Sequence, residues 1–198
     1  GVGYFHVTQR KGLRWSAAKA FLHPIKHRSN LTLQIKAQAE RVLFKDKRAV
    51  GLDFSIDGEP VTAEASGEVI LATGSVGSPQ LLQLSGIGPG GVLQDHGIQV
   101  VEDLQGVGQN LQDHLQIRTV FKVENATTLN QLAASWFGKA KIAAEYALKR
   151  SGPMSMAPSQ LGVFARSDPA FETANIEYHV QPLSLDRFGE PLHPFPAI

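Results

Sequence analysis

The chain has 198 residues, and its content of 42% hydrophobic and 19% charged residues is typical of one or two soluble globular domains. Its 19 basic and 18 acidic residues leave a net charge of +1, so there is no electrostatic case for binding nucleic acid. The absence of cysteine excludes disulfides, thiolate metal sites and a cysteine nucleophile.

The first third of the chain predicts a short helix followed by strands. Ser16 is a suitable N-cap residue, and Pro24 ends the helix that follows it. A polar turn at residues 45–48 separates two apolar runs that we expect to pair as strands, and Asp57-Gly58 predicts another tight turn. In chain order, these elements are a helix over residues 17–22 and strands over residues 31–36, 41–44 and 49–56.

The middle of the chain contains the most informative segment. Residues 68–73, EVILAT, form an apolar run that predicts a buried strand, and residues 74–88 read GSVGSPQLLQLSGIG. We expect a glycine turn after the strand and then a helix over residues 79–84 that begins at Ser78-Pro79. Such a turn lets backbone amides approach a ligand closely, and uncapped amides at the start of a helix favour an anion.

The rest of the chain predicts a loop, a long helix and further strands. Residues 106–110 mark a loop and a domain boundary, and residues 129–150 form the longest helical pattern, which Gly152-Pro153 ends. Trp136 lies on the apolar stripe of this helix, which favours packing in a core over an aromatic ligand cage. The other elements are a short helix over residues 92–95 and strands over residues 115–123, 161–165 and 176–180.

The sequence contains neither a complete dinucleotide-binding fingerprint nor the motif of a serine hydrolase. The glycines at residues 1–3, 86–90 and 106–108 lack the preceding strand, the third glycine or the helix of a dinucleotide-binding fingerprint. No GxSxG elbow is present, so a serine hydrolase has no anchor in this sequence.

The histidines also favour structural roles. His23 and His27 are four residues apart, but Pro24 breaks the helix that would bring them to one metal ion, so we interpret them as surface histidines. Residues 95–96 and 113–114 are both Asp-His pairs. Adjacent side chains do not face each other on a helix or a strand, so structural hydrogen bonds are favoured over acid–base couples.

Residues 74–88 closely resemble the second signature of the glucose–methanol–choline (GMC) oxidoreductases, which are flavoenzymes that oxidise alcohols with FAD. Residues 106–114, GVGQNLQDH, resemble a second string that is characteristic of this family. Residues 175–179, NIEYH, resemble a strand of its substrate domain, most like the choline dehydrogenase branch. The resemblance covers essentially the whole chain, and the middle of the chain most specifically.

The resemblance implies a mixed α/β (α+β) fold with parts of two domains. Residues 1–110 would form part of a Rossmann-like FAD-binding domain, and residues 111–198 part of a substrate-binding domain with an antiparallel sheet and helices. The GxGxxG fingerprint and the catalytic histidine of the family match no residues here. We therefore expect an internal fragment that contains no catalytic residue and is inactive alone. The absence of cysteine and of a long apolar run favours the cytoplasm without a transmembrane segment, and leaves peripheral attachment to a membrane open.

The implied cofactor is FAD. Its adenine would contact the main chain of Ala39, where relatives commonly have valine, and a backbone contact survives that change. The turn formed by Ala72, Thr73 and Gly74 would supply further cofactor contacts, and Gly77 stands where relatives frequently have asparagine.

The implied reaction is oxidation of a primary alcohol to an aldehyde by hydride transfer to the flavin, with an electron acceptor that the sequence does not identify. Gln160 is aligned with a glutamate that faces the quaternary ammonium in choline-oxidising members. A neutral amide cannot offset the cost of desolvating that cation, so we expect an uncharged alcohol as substrate. Two alternatives stay open: a hydroxynitrile lyase, in which FAD is structural, and a binding module without enzymatic activity.

Overall fold

The computed structural model describes residues 1–187 and 189–198. It contains two compact units, one formed by residues 32–116 and the other by residues 1–31 together with residues 117–198. Helices and mainly antiparallel strands form these units, which confirms the predicted mixed class. The strands are β1 (Val2–Tyr4), β2 (Gln9–Arg10), β3 (Leu13–Arg14), β4 (Ala37–Lys45), β5 (Arg48–Ile56), β6 (Glu59–Glu64), β7 (Ile87–Gly88), β8 (Glu102–Asp103), β9 (Leu161–Ala165) and β10 (Ile176–Val180). The helices are α1 (Gly74–Leu84), α2 (Gly90–Asp95), α3 (Leu129–Leu132) and α4 (Trp136–Lys149), with a π-helical turn at Ala18–Leu22 and a 3-10 turn at Pro153–Ser155.

The unit of residues 32–116 is built on an antiparallel sheet in the order β4-β5-β6. The predicted pairing of β4 with β5 is confirmed, and the two strands meet at Lys45 and Arg48. Asp46 and Lys47 form the turn between them with positive φ angles of 48° and 63°. Two positive φ angles give the turn the twist that a tight hairpin needs. Residues 57–58 form the second predicted turn, between β5 and β6.

The prediction that residues 68–73 form a buried strand is wrong. These residues contain no strand, and Ile70 is 78% exposed. An apolar run becomes a strand only where a partner supplies backbone hydrogen bonds, and no described segment of the chain pairs with this one. Helix α1 also begins earlier than predicted, at Gly74, so that Pro79 lies inside it. Thr73 and Ser78 share a hydrogen bond of 3.0 Å between their hydroxyls across the first turn of this helix.

The buried apolar side chains of this unit lie on β4, on α1, which packs against β4, and on α2, which packs against β7. Val42 on β4, Leu81 on α1 and Leu93 on α2 are 5%, 6% and 1% exposed. Helix α2 confirms the predicted short helix, and it is followed by β8, which pairs in parallel with β7.

The other unit contains an antiparallel sheet in the order β1-β9-β10. Strands β9 and β10 confirm the two predicted strands at residues 161–165 and 176–180. Phe5 packs on Gly162 of β9 so closely that an added Cβ would lie 2.6 Å from its ring. The Phe5 ring also lies 4.8 Å from the ring of His179, between centroids.

The single long helix predicted over residues 129–150 is two helices, α3 and α4. Ser135 separates them because its hydroxyl accepts a hydrogen bond of 3.0 Å from the amide of Gly138 and so caps the start of α4. Helix α4 has no buried residue, and Trp136 and Phe137 are 83% and 75% exposed. The prediction that its aromatic stripe packs in a core is therefore wrong, because no described part of this chain covers it.

Two further strand predictions, at residues 31–36 and 115–123, are wrong. Residues 31–36 contain no strand, and residues 115–123 contain only an isolated antiparallel bridge between Lys122 and Ala197. Leu115 is 96% exposed. None of the helices in the described part of the chain is both long enough and apolar enough to cross a membrane.

Asp53 on β5 makes the stability of the sheet depend on pH. Its carboxylate accepts hydrogen bonds from the Thr62 hydroxyl at 2.6 Å and from Arg41 Nε at 2.9 Å, and these bonds hold the pKa of Asp53 below its ordinary value of 3.8. A lowered folded pKa means that the ionised carboxylate stabilises the fold above pH 3.8, and that this stabilisation is lost as the pH falls through the folded pKa. We expect Asp53→Asn to be less stable than the wild type in urea at neutral pH. The difference should shrink as the pH falls below about 4, and a difference that does not change with pH would contradict this role.

Candidate functional site

The start of α1, at Thr73 and Gly74, has the backbone geometry that a ligand with a phosphate group needs. Gly74 has a positive φ of 82°, and nothing lies within 4 Å of the position that a Cβ would take. Thr73 stands at the N-cap position, but its hydroxyl bonds to Ser78 and caps no amide of the helix. Ala72, Thr73 and Gly74 are all exposed. The start of α1 therefore leaves its amides without a side-chain cap and open to an anion.

Ala39 lies on β4 in the same compact unit, next to a β-bulge. The register shifts between Ala39 and Arg41, which leaves Glu40 as the extra residue. Ala39 is half-buried, and its carbonyl accepts a hydrogen bond of 3.2 Å from Gln38 Nε2. A base that contacted this carbonyl would compete with the Gln38 amide. Bulges bend a strand and change the direction of its backbone groups.

Ser85 attaches the C-terminal end of α1 to β4. Its hydroxyl accepts a hydrogen bond of 2.8 Å from the amide of Val42 and donates one of 2.5 Å to the carbonyl of Leu81. Strand β4 is at the edge of its sheet, with β5 on one side only, so Ser85 satisfies a backbone donor that the sheet leaves free. Ala39 and Gly74 thus lie on two elements that Ser85 joins.

A second side chain of α1 holds the loop at residues 106–110. Gln83 Nε2 donates a hydrogen bond of 3.1 Å to the carbonyl of Val107, and a Cβ added to Gly108 would lie 2.7 Å from the same nitrogen. A groove of about 530 Å³ lies between α1 and residues 108–112, and Ser75 is one of its lining residues. The two strings that resemble family motifs are therefore neighbours in this unit.

The last residues of the signature are structural. Gly86 has a positive φ of 87°, and a Cβ added to it would lie 2.4 Å from the carbonyl oxygen of Gln99 and 2.9 Å from Cγ2 of Val101. Its own carbonyl accepts a hydrogen bond of 2.8 Å from the amide of Val101. Residues 74–78 are thus the part of the signature available to a ligand, whereas residues 85–88 hold α1 against its neighbours.

Gln160 lies immediately before β9, in the other compact unit. Its amide donates a hydrogen bond of 3.1 Å to the carbonyl of Val180, and its carbonyl accepts one of 3.1 Å from Phe5. Its side chain is half-buried, and Nε2 donates to the carbonyl of Ala157 at 3.3 Å. The backbone of Gln160 is therefore fixed at both edges of β9, and the position carries an uncharged amide.

A buried polar cluster centred on Asn130 has no signal in the sequence. Asn130 Nδ2 donates hydrogen bonds of 3.1 Å to the carbonyl of Ser184 and of 2.9 Å to that of His193, and Oδ1 accepts one of 2.9 Å from the amide of Ser184. These partners are 54 and 63 residues away along the chain, so no local spacing indicates the cluster.

Ser184, His193 and Asp186 have the composition of a catalytic triad but not its accessibility. His193 Nδ1 lies 3.0 Å from Ser184 Oγ, and Nε2 lies 3.2 Å from Asp186 Oδ1. Ser184 is only 3% exposed, and its hydroxyl also accepts a hydrogen bond of 3.1 Å from Asn130 Nδ2. A serine nucleophile must reach its substrate, so this cluster has a structural role.

His23 and His27 are exposed, which confirms that they are surface histidines. In the described part of the chain, no group of three or more His, Asp or Glu side chains is placed to hold a metal ion. In the Asp-His pair at residues 113–114, the carboxylate of Asp113 accepts a hydrogen bond of 2.8 Å from the amide of His114, which confirms a structural bond there.

The residues of the unit at 32–116 fit a dinucleotide such as FAD. The open turn at Gly74 and the uncapped amides of α1 suit a pyrophosphate, because backbone donors can approach it without a side chain in the way. The main chain at the edge of β4 near Ala39 suits a base, because an edge strand leaves donors and acceptors free.

Comparison with known proteins also indicates an FAD-binding protein. A family model described as GMC oxidoreductase matches residues 1–116. The chain is 41% identical over 192 residues to an alcohol dehydrogenase [acceptor] of Pseudomonas putida, which covers 96% of this chain and 35% of the relative. It is 42% identical over 182 residues to the mitochondrial choline dehydrogenase of Homo sapiens, which covers 92% of this chain and 30% of the relative.

The fold is similar to that of solved flavoenzymes. An FAD-dependent oxidoreductase from Chaetomium thermophilum matches with a TM-score of 0.73 and 27% identity, over 83% of this chain and 30% of that one. The chain spans about a third of the length of the curated relatives that it matches. The family model that matches residues 1–116 and the identity to these relatives show that the chain belongs to the GMC oxidoreductase family of FAD-dependent flavoproteins.

Proposed function

We propose that the protein oxidises a primary alcohol to its aldehyde by hydride transfer to FAD. The observation that carries this proposal is identity of about 40%, over more than nine-tenths of the chain, to relatives named alcohol dehydrogenase and choline dehydrogenase. The bound flavin would supply the hydride acceptor, and the protein would bind and orient the two reactants. The resemblance assigns the base that takes the alcohol proton to a histidine outside these residues.

In this proposal the two parts of the chain have different tasks. Residues 1–110 contribute to the FAD-binding domain and residues 111–198 to the substrate-binding domain. Backbone amides at residues 72–74 would hold a phosphate of the cofactor, and the main chain of Ala39 would contact the adenine. Gln160 faces the substrate with an amide that is already bonded to a backbone carbonyl.

The uncharged side chain of Gln160 favours a neutral alcohol over choline. We expect the wild type to oxidise 3,3-dimethylbutan-1-ol, the uncharged isostere of choline, with a higher kcat/KM than choline. Gln160→Glu should shift the ratio of the two kcat/KM values towards choline by about tenfold, because one partly shielded pair of opposite charges contributes about 1.4 kcal/mol.

Gln181 provides the matched control for this substitution. It is also half-buried in the same unit, and its Nε2 lies 3.4 Å from Ser159 Oγ. Gln181→Glu adds the same charge at a position without an assigned substrate contact, so the ratio should stay unchanged. A wild type that prefers choline, or an equal shift in both variants, would contradict the role of Gln160.

Anaerobic reduction of the flavin tests the reaction itself. The full-length protein is purified with its flavin, and the absorbance of oxidised flavin is followed after mixing with primary alcohols. Loss of this absorbance within the time of a turnover supports an alcohol dehydrogenase or oxidase. Bound flavin that no alcohol reduces would favour a lyase with structural FAD, and protein without flavin would favour a binding module.

A further inference from the structure

We propose that Ser85 is a positioning residue for FAD, because its hydroxyl fixes β4 to α1 and so sets the spacing between the two backbone segments that hold the cofactor. The inference rests on the proposed function, since it takes FAD as the ligand of Ala39 and of the turn at residues 72–74. Ser85 itself touches neither the cofactor nor the substrate in this role.

Helix α1 acts as a spacer between the two cofactor contacts. Its 11 residues rise about 16 Å, with Gly74 at the first position and Ser85 just after the last. Ser85 is bonded to Val42, which lies three residues along β4 from Ala39. The length of α1 and the hydrogen bond between Ser85 and Val42 together set the distance between Gly74 and Ala39. A ligand that contacts both residues must match this distance.

The attachment of β4 to α1 depends on the hydroxyl of Ser85 and not on packing alone. Ser85 is 7% exposed and Val42 is 5% exposed, so water cannot easily replace either hydrogen bond. Without the hydroxyl, the amide of Val42 would be buried with no acceptor on the outer side of β4. Leaving a buried donor unsatisfied is unfavourable, and β4 would move to expose it.

The bulge at Glu40 makes the cofactor segment sensitive to such a movement. It lies between Ala39 and Arg41, where the ladder with β5 is interrupted. A strand can bend at a bulge. Pairing with β5 alone therefore fixes the direction of the backbone at Ala39 only weakly. Among the described residues, the hydrogen bond from Val42 to Ser85 is the nearest one to Ala39 that holds β4 on the side away from β5.

The test measures the affinity of the full-length apoprotein for FAD by quenching of flavin fluorescence, at a temperature at which each apoprotein is folded. We expect Ser85→Ala to raise the Kd for FAD by about tenfold, which corresponds to about 1.4 kcal/mol. Ser85→Cys keeps a side chain of similar size with a weaker donor and acceptor, and should raise the Kd by roughly threefold. Ser55→Ala removes the hydroxyl of a half-buried serine on β5 and should stay within about twofold of the wild type.

A merely structural role predicts a different pattern. In that case the Tm of the Ser85→Ala apoprotein would fall while the Kd stayed within about twofold of the wild type, and the inference would be overturned. If Ser85→Ala does not fold, the Kd of Ser85→Cys decides in the same way. A wild type that binds no FAD would overturn the proposed function and this inference together, whereas a normal wild type with unaffected variants would overturn this inference alone.

Discussion

Replacing Asn130 with alanine is expected to lower the free energy of unfolding by about 3 kcal/mol. Asn130 is 4% exposed, and its amide makes four hydrogen bonds to Ser184 and His193. Alanine would leave at least the amide of Ser184 and the carbonyl of His193 without this partner. Each buried polar group without a partner costs about 1–3 kcal/mol, and two such groups give the expected loss. Urea unfolding followed by circular dichroism measures it.

Asn175 is the control for this substitution because it also bonds to a serine in the same unit. Its Oδ1 accepts from the amide of Ser167 at 2.9 Å, and its Nδ2 donates to Ser167 Oγ at 2.9 Å, but the residue is exposed. Water can replace both bonds, so Asn175→Ala should cost less than about 1 kcal/mol. Asn130→Asp should be as harmful as Asn130→Ala, because a carboxylate cannot donate to the two carbonyls. Equal losses at Asn130 and Asn175 would count against the buried cluster.

Gly86→Ala is expected to destabilise the protein by about 4 kcal/mol. The positive φ of 87° disfavours any side chain, and the new Cβ would lie 2.4 Å from the carbonyl oxygen of Gln99. The contact is with backbone, which cannot rotate away, so residues 85–88 and the segment that carries Val101 must separate. Because these residues hold α1 in place, bound flavin should also be lost more readily on heating.

Gly91→Ala tests whether this effect comes from the local geometry. Gly91 lies in α2, and nothing lies within 4 Å of its Cβ position. Alanine is a better helix residue than glycine, so this variant should be more stable by about 0.5–1 kcal/mol. Thermal unfolding of the two variants should therefore shift in opposite directions, and a loss of stability in both would refute the explanation.

The helices and strands that are determined by neighbouring residues could be predicted from the sequence. The hairpin of β4 and β5 follows from two apolar runs and a polar turn that accepts positive φ angles, and β9 and β10 follow from short apolar runs between breaks. Residues 68–73 have equally strong strand character, but the chain contains no described partner for them. The apolar pattern of a strand is local, whereas the hydrogen bonds that complete it are not.

The same difference between local patterns and distant partners decides which parts of the candidate site could be predicted. Gly74, with its positive φ, lies where the sequence predicts a glycine turn, but α1 already begins there, five residues before the predicted helix at residues 79–84. The role of Ser85 could not be predicted, because its partner Val42 lies 43 residues earlier and a serine before glycine has no unique local meaning. The cluster at Asn130 is hidden for the same reason, with its partners 54 and 63 residues away.

The compact unit that joins residues 1–31 to residues 117–198 has a consequence for synthesis of the protein. Strand β1 pairs with β9, and the hydrogen bond between Gly1 and Phe164 joins positions 163 residues apart. At about 5–20 residues per second, a ribosome needs roughly 8–30 s to make the residues between them. Residues 32–116 are made before β9, so their unit can collapse during that interval. The pairing of β1 with β9 therefore forms only after the whole of the other unit has been synthesised.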